Sequence, residues 1–223
     1  SAVECMGAGD LPQLPRTGRP GGAAPPLNCV TVMGPGWDDV RAAVGSRPAA
    51  PAGPAGSRAA VALVLRDGAA GIELLFVRRA EHPGDPWSGH MAFPGGRWEP
   101  GDADALATAI RETREEVGLD LATDAELLGP LDEVRAMARM RPVDLTIAPF
   151  VFRKTRRVEL RLSDEVVSAH WLPLPQLIGP SLRSTMEYVH QGTALAFPCI
   201  RYEELVIWGL TFRMFLSLES RLG

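Results

Sequence analysis

Three glutamates on one predicted helix have side chains and a spacing that suit a ligand-binding or catalytic site. Residues 111–119 read R-E-T-R-E-E-V-G-L, which puts Glu112, Glu115 and Glu116 at positions i, i+3 and i+4 on one helical face. Like charges at this spacing destabilise a helix by about 0.2–0.5 kcal/mol per pair, so helix stability alone does not select them. Crowded carboxylates suit a hard divalent cation, and Mg²⁺ or Mn²⁺ is expected. For an isolated motif, the alternative is a solvated charged face.

The flanks of this motif favour a ligand site. The sequence F-P-G-G ends at Gly96, and its paired glycines let a ligand or metal approach backbone atoms that a Cβ would hold away. Asp102 and Asp104 are predicted N-caps, and Gly118 a predicted left-handed C-cap, of a helix over 103–117. The acids therefore lie in the last turns, where the helix dipole disfavours anions and favours a bound cation.

The combined pattern resembles the Nudix hydrolases, whose box is Gly, five residues, Glu, seven residues and then R-E-U-x-E-E-x-G-U, with U aliphatic. Residues 111–119 match the second half, with Thr113 at a usually aliphatic position. Counting from Gly96, Asp102 stands where the family has Glu, and eight residues rather than seven precede Arg111. Both departures resemble the branch of the family that cleaves coenzyme A.

The similarity to that branch extends over about residues 60–222. Residues 74–96 look like its upstream signature, and residues 207–212 (I-W-G-L-T-F) look like its segment before the last helix. Asp85 and Trp87 stand where the branch has Arg and His, which leaves other substrates open.

The resemblance implies a Nudix fold, an α/β/α sandwich with a mixed sheet, and attack of water on a phosphorus of a diphosphate. Bridging metals would neutralise the charge of the diphosphate and lower the pKa of bound water. Glu112 and Glu116 are the predicted primary metal ligands, and Gly96 is expected to add its carbonyl. Glu115 is a further ligand or the base that takes the water proton. Arg111 completes the predicted catalytic set by pairing with a box acid and pinning the helix to its loop.

Substrate phosphates call for arginines near the glycine loop. Arg78 and Arg79 leave a predicted strand toward this loop, and with Gly95 and Arg97 they form the predicted substrate-binding set. Trp98, together with Trp87, is a candidate for stacking on a base. Family members often recruit another acid from a loop, and the candidates are Glu133, Asp164, Glu165, Glu203 and Glu204.

Composition predicts one globular domain after an extension. The chain has 223 residues, 46% of them hydrophobic and 22% charged, which excludes a disordered or fibrous protein. Gly, Pro and Ala make up half of residues 1–58, which are predicted as an extension, and 59–223 as the Nudix domain. Within the extension, Trp37 to Val44 predicts a short helix capped by an Asp and stopped by Gly45. Its role as linker, partner contact or clamp stays open.

Short apolar runs and helical spacing predict an α/β domain. Ala60 to Leu65, a turn at Asp67-Gly68, and Ile72 to Val77 predict a hairpin that begins a mixed sheet. Further strands are predicted at Met91 to Phe93, Leu127 to Leu131, Leu145 to Phe152 and Val166 to Leu172. Helices are predicted at Ala103 to Val117, with Leu106, Ile110 and Val117 as the apolar stripe, and at Thr211 to Leu222.

Charge and cysteine content exclude several classes of partner. The net charge of −4 comes without a long basic block, so neither nucleic acid nor a membrane is an expected partner. Three separated cysteines and isolated histidines indicate neither a disulfide framework nor a zinc site. A cytoplasmic protein with a small-molecule nucleotide substrate is expected. Many relatives form homodimers, and the sequence leaves this assembly open.

Three functions remain at this point. The first is a metal-dependent hydrolase of a diphosphate linkage, with coenzyme A or an acyl derivative as the leading substrate. The second uses the same box on a dinucleotide, ADP-ribose or a nucleotide sugar. The third is a catalytically silent nucleotide-binding module, which three crowded glutamates disfavour.

Overall fold

The computed structural model describes residues 34–53, 56–81, 89–138, 141–190 and 193–223. The described residues from 34 onward group into one compact unit. The remainder of the predicted extension before residue 34 lies outside the described residues, as do Asp85 and Trp87. In the described ranges, no helix is long and apolar enough to cross a membrane.

The described residues form five helices and eleven strands, with a 3₁₀ turn at Pro180–Leu182. The helices are α1 (Trp37–Gly45), α2 (Ala105–Val117), α3 (Leu121–Asp124), α4 (Leu174–Leu177) and α5 (Gly209–Leu222). The strands are β1 (Ser57–Gly68), β2 (Gly71–Arg79), β3 (Met91–Ala92), β4 (Gly95–Arg97), β5 (Ala125–Pro130), β6 (Val134–Ala138), β7 (Arg141–Lys154), β8 (Val166–Pro173), β9 (Arg183–His190), β10 (Thr193–Tyr202) and β11 (Leu205–Trp208).

The central sheet contains β1 to β8 in the order β3-β2-β1-β7-β5, with β4 also on β1, β6 on β7 and β8 on β2. Strands β1 and β7 are parallel, from Ser57 opposite Leu145 to Leu65 opposite Arg153. The other pairings in this sheet are antiparallel. The predicted mixed sheet is therefore confirmed.

Helices cover both faces of this sheet because successive side chains of a strand point to opposite sides. Leu63 and Leu65 belong to an apolar cluster that also contains buried residues of α1, α4 and α5. Ala62 and Val64 belong to a second cluster, which contains Val117 at the end of α2. Two cores separated by one sheet confirm the predicted α/β/α sandwich.

The turn of the first hairpin lies two residues later than predicted. Gly68 pairs with Gly71, so Asp67 and Gly68 belong to β1 and the turn consists of residues 69–70. Gly71 has φ +115°, which favours glycine and lets β2 begin directly after the turn. Asp67 accepts a hydrogen bond from Trp37 Nε1 at 2.7 Å instead of turning the chain.

Helix α1 packs onto the domain. Val40 and Val44 are buried in the core that α5 also lines, so this part of the predicted extension packs against the domain. The helix forms as predicted and reaches Gly45, but its N-cap is Gly36 rather than an Asp. Asp39 acts from inside the first turn, where its carboxylate accepts the Gly36 amide at 2.8 Å.

Strands β9, β10 and β11 form a separate antiparallel sheet that the sequence did not predict. Ile200 lies opposite Ile207, and both side chains are buried in the core on one face. The opposite face carries Tyr188, Phe197 and Trp208, as the register shows by pairing Trp208 with Cys199 and Tyr188 with Leu195. This second face lines the cavity described below.

Candidate active site

Helix α2 is delimited by its caps. Asp104 is the N-cap, and its carboxylate accepts the Ala107 amide at 2.8 Å. Gly118 ends the helix at φ 70° and donates its amide to the Arg114 carbonyl. Of the two predicted N-caps, Asp102 does not cap, because its carboxylate binds Arg111. The helix consequently starts at Ala105 rather than Ala103.

Glu116 is buried against the glycine pair. Its Oε2 accepts the Gly95 amide at 3.0 Å, and its side chain is almost fully enclosed. Gly95 has φ +147°, and a Cβ there would lie 2.2 Å from the Ala60 carbonyl oxygen. Only glycine therefore fits this position, where the strand β4 brings a backbone donor to a buried acid.

Burial raises the pKa of Glu116 to about 7. Desolvation is the main cause, and the nearby carboxylates of Glu112 and Glu165 raise it further. The Gly95 amide and Arg79 act in the opposite direction, the latter through a guanidinium 3.9 Å from Oε1. A stronger positive charge beside this buried acid would favour its charged form.

Glu112 lies one turn earlier, beside Gly96. Its side chain is 14% exposed, and burial raises its pKa, although Arg111 at 3.1 Å lowers it in part. A Cβ on Gly96 would lie 2.4 Å from Glu112 Cδ. Because Gly96 has no side chain, the Glu112 carboxylate can occupy this space.

Arg111 connects α2 to the preceding loop. Its guanidinium donates to both Asp102 oxygens at 2.9 and 3.0 Å, to Glu115 at 2.9 Å and to the Arg97 carbonyl at 3.0 Å. Hydrogen bonding from Arg111 holds the pKa of Asp102 well below its usual range. This network fixes the loop against the helix that carries Glu112.

A cavity of about 780 Å³ brings most of these residues together. Apart from Arg111, eight site residues were predicted. Six of them line the cavity: Glu112, Glu116, Arg79, Gly95, Gly96 and Arg97. Glu115 is not part of its lining, since its carboxylate is paired with Arg111 and its side chain is 54% exposed. Arg78 is exposed on the other side of β2, because adjacent strand residues point in opposite directions.

Comparison with known proteins identifies the family. A model of the NUDIX domain matches residues 56–191, which is more than half of the chain. The chain belongs to the Nudix family.

Two similar proteins differ in length and coverage. The uncharacterized Nudix hydrolase NudL of Yersinia pestis is 28% identical over 155 residues, covering 67% of this chain and 72% of that protein. An uncharacterized protein of Schizosaccharomyces pombe is 39% identical over 118 residues, covering 51% of this chain. The aligned region spans only 36% of the fission yeast protein's length.

Two solved structures show partial likeness. A C. elegans Ap4A hydrolase in a binary complex has a TM-score of 0.46 and 23% identity, covering 55% of this chain and 83% of that one. The NUDIX domain of Shewanella oneidensis NrtR, complexed with ADP ribose, has a TM-score of 0.43 and 16% identity, covering 60% and 79%.

Two of the three departures from the Nudix box, Thr113 and Asp102, have local physical reasons. Thr113 is fully buried where the box is usually aliphatic, and its hydroxyl donates to the Ala109 carbonyl at 2.7 Å. This bond satisfies the polar atom within the helix. Asp102, in the place of the box Glu, still reaches Arg111 and also accepts the Thr108 hydroxyl at 2.9 Å.

One of the candidate loop acids borders the cavity. Glu165 lines it, and its backbone carbonyl accepts the Ala80 amide at 2.8 Å, which places it beside Arg79. Glu133 instead accepts the Ala52 amide and lines a different pocket. Glu165 is exposed like Asp164, Glu203 and Glu204, but these three do not line the cavity.

Sequence reasoning missed the aromatic wall of the cavity. Trp208 lies with its ring centroid 4.8 Å from His90, 5.4 Å from Tyr188 and 5.7 Å from Phe197. Trp98, which the sequence offered as a residue to stack on a base, is 45% exposed and does not line the cavity. The available signal was the alternation of apolar residues at Leu195, Phe197 and Cys199, which matches a strand with one covered face.

The donor set fits a hard divalent cation. Glu112 and Glu116 are desolvated carboxylates in one cavity, and a cation relieves their mutual repulsion. Within the described ranges, no three acidic, His or Cys side chains already form a cluster that could hold a metal. Mg²⁺ in proteins is commonly held by one or two carboxylates, with water supplying its other ligands.

Proposed function

We propose that this chain is a pyrophosphohydrolase that uses a divalent cation to cleave a diphosphate linkage in a nucleoside diphosphate derivative. The observation that supports it is the placement of Glu112 and Glu116, one helical turn apart, against Gly95 and Gly96 in a cavity of about 780 Å³. Cavities of roughly 300–1,000 Å³ suit small-molecule ligands of this size.

Glu112 and Glu116 are the proposed ligands of Mg²⁺ or Mn²⁺. The Gly96 carbonyl is a third proposed donor, since Gly96 borders both the cavity and the Glu112 carboxylate. When bound, the cation would neutralise diphosphate charge and lower the pKa of coordinated water. Glu116 must lose its proton to bind, and the Gly95 amide keeps its carboxylate oriented toward the cavity wall.

Glu165 is the proposed acceptor of the proton from the attacking water. It lines the cavity from the loop that precedes β8, whereas the proposed ligands come from α2, and a carboxylate beside the site is a candidate general base. Glu115 remains the alternative base or ligand. Its pairing with Arg111 and its position outside the cavity lining make it the weaker candidate.

Arg79 and Arg97 are the proposed phosphate contacts. Both line the cavity on the side of the glycine pair. A guanidinium can donate two parallel hydrogen bonds to a phosphate and cannot be deprotonated at neutral pH. Arg111 is proposed to position the loop before α2, since its guanidinium binds Asp102 and the Arg97 carbonyl.

Among substrates, we propose coenzyme A or an acyl derivative first, on the resemblance of residues 74–96 and 207–212 to that branch. Residues 207–212 include Trp208, Leu210 and Phe212, which line the cavity. Dinucleotides, ADP-ribose and nucleotide sugars are the alternative substrates of the same site.

The deciding experiment is product analysis by mass spectrometry. The full chain is incubated with coenzyme A, ADP-ribose, dinucleotides and nucleotide sugars, with and without Mg²⁺ or Mn²⁺. Metal-dependent release of adenosine 3′,5′-bisphosphate from coenzyme A is the expected result. Cleavage of another substrate alone would keep the hydrolase and remove the coenzyme A assignment.

Variants connect that activity to the site. Glu116→Gln and Glu165→Gln are expected to lower turnover by about two orders of magnitude or more, as the loss of a metal ligand or a general base does. Glu126→Gln is the matched control, because Glu126 pairs with Arg41 and does not line the cavity. Absence of cleavage in every arm would contradict the proposal and favour a silent binding module.

A further inference from the structure

The cavity has two chemically different ends. One end carries the acids and arginines of the proposed hydrolase site, and the other carries four aromatic rings. The rings belong to Tyr188, Phe197 and Trp208 of the small sheet and to His90 just before β3. Nothing in the proposed chemistry at Glu116 requires such a wall.

The two ends are connected through a short series of contacts. Glu116 lies 3.9 Å from the Arg79 guanidinium, and the Arg79 amide donates to the His90 carbonyl at 3.1 Å. The His90 ring in turn contacts Trp208, with 4.8 Å between centroids. A ligand held at the acids can therefore reach the rings without leaving the cavity.

The rings are not needed to complete the main core. The buried partners of the small sheet, Ile200 and Ile207, lie on its opposite face. Tyr188, Phe197 and Trp208 are each only partly buried, although they contact one another at 5.4–6.3 Å. Large rings that line a cavity are typical of ligand sites.

We propose that Trp208, Tyr188 and Phe197, with His90, form a stacking subsite for the planar heteroaromatic base of the substrate. This inference rests on the proposed function for the nature of the substrate, a nucleoside diphosphate derivative. A nucleobase offers a π-face to the rings at one end, while its diphosphate reaches Glu112 and Glu116 at the other. The subsite accounts for affinity and base preference rather than for the chemical step.

A base is favoured over an aliphatic arm by the kind of side chain at this end. Each of the four residues presents an aromatic ring, and rings gain more from stacking on another flat π-system than from a flexible chain. A pantetheine arm has no such face. The subsite therefore discriminates adenosine from pantetheine, two compounds without the diphosphate.

Binding of uncharged probes tests the subsite independently of hydrolysis. Adenosine, guanosine, ribose and pantetheine are titrated into the full chain in EDTA and followed by ligand-observed NMR. Adenosine or guanosine is expected to bind, and ribose and pantetheine are not. Glu116→Gln is expected to keep nucleoside binding, because the probe lacks the phosphates that the acid end would handle.

Ring variants test the residues. Trp208→Ala is expected to weaken nucleoside binding by about 5- to 150-fold, the range for loss of one base–aromatic stack. Trp208→Phe should restore most of it, and Tyr188→Ala provides a second probe if Trp208→Ala fails to fold. Trp171→Phe is the matched control, since Trp171 packs under Arg66 and does not line the cavity.

Kinetics separate this inference from the proposed function. For a cleaved nucleotide, Trp208→Ala should raise KM with little change in kcat, as expected for binding that is equal in ground and transition states. Nucleoside binding without any hydrolysis would keep the subsite and contradict the hydrolase. Hydrolysis with no nucleoside binding, pantetheine binding instead, or equal effects of Trp208→Ala and Trp171→Phe would overturn the subsite.

Discussion

The Gly95 amide donates to Glu116 Oε2 at 3.0 Å, joining a β-strand to a helix that begins ten residues later in sequence. This bond orients an acid that is only 3% exposed and keeps one of its oxygens committed to the backbone. The other oxygen lies nearest to Arg79. The arrangement stabilises a carboxylate in a place where burial alone would keep it protonated.

Replacing Glu116 by Gln should stabilise the metal-free protein at alkaline pH. Burial raises the Glu116 pKa to about 7, so between pH 4.5 and 7 the folded state holds a proton that the unfolded state has released. Wild-type stability therefore falls through this range as pH rises. Glu116→Gln lacks this loss and should gain about 3 kcal/mol relative to wild type at pH 8, with little gain at pH 4.

Urea denaturation in EDTA at both pH values measures this difference. Added Mg²⁺ should stabilise wild type more than the variant, because binding needs the charged carboxylate. Glu126→Gln serves as the control on an exposed pair. Parallel pH profiles for wild type and Glu116→Gln would show that Glu116 is not buried as described.

Gly96→Ala should impair the site without unfolding the domain. The new Cβ would lie 2.4 Å from Glu112 Cδ, and the end of a side chain can move where a backbone cannot. Displacing Glu112 is expected to raise the Mg²⁺ concentration for half-maximal activity about 10- to 100-fold. The control is Gly101→Ala, where a Cβ meets nothing within 4 Å. Equal metal requirements in the two variants would contradict the assignment of Glu112.

Asp102→Asn should destabilise the protein at neutral pH. Asp102 accepts two hydrogen bonds from Arg111 and one each from the Thr108 hydroxyl and the Glu99 amide. Both oxygens of its carboxylate are therefore hydrogen-bonded. The expected loss is about 2–3 kcal/mol, as for hydrogen bonds to a charged group. Because Arg111 holds the Asp102 pKa low, this contribution is present above about pH 4 and disappears as pH falls further.

The stability gap between Asp102→Asn and wild type should consequently narrow in acid. Chemical denaturation at pH 7 and pH 3 measures it. Asp104→Asn is the matched control, since Asn caps a helix about as well as Asp. A gap that does not depend on pH would mean that Arg111 does not favour the charged form of Asp102.

Arg221→Met should loosen α1 from α5. The Arg221 side chain is 1% exposed, and it donates to the Val44 carbonyl at 2.9 Å and to Asp132 at 3.0 Å. Losing these bonds is expected to cost about 2–3 kcal/mol and to speed amide exchange in α1. Arg157→Met, at an exposed position, is the comparison. Unchanged exchange in α1 would show that Arg221 does not hold this helix.

The box and its helix could be predicted because their signals are local. Asp104 and Gly118 delimit α2 through bonds to residues three or four positions away, and Glu112 and Glu116 share a face through helical geometry alone. The first hairpin was predicted for the same reason, although its turn lies at residues 69–70 and Gly71, directly after the turn, has the positive φ.

The aromatic wall could not be predicted because its members meet only through tertiary structure. His90 precedes β3, and Trp208 follows it by more than a hundred residues. Polar residues such as Arg183 and Glu187 interrupt the apolar pattern of β9, and Pro198 lies within β10, where proline disfavours a strand. Glu165 was among five candidate acids, and only the fold places it at the cavity.

The bond from Arg221 to the Val44 carbonyl spans 177 positions of the chain, so it cannot form until nearly all of that chain has been synthesised. At about 5–20 residues per second, ribosomes need roughly 9–35 seconds to cover this distance. A nine-residue helix is marginal alone, and during that time α1 lacks the part of its packing that α5 supplies and the side chain that binds the Val44 carbonyl. The nascent chain must keep the uncovered part of Val40 and Val44 from other apolar surfaces until α5 has been made.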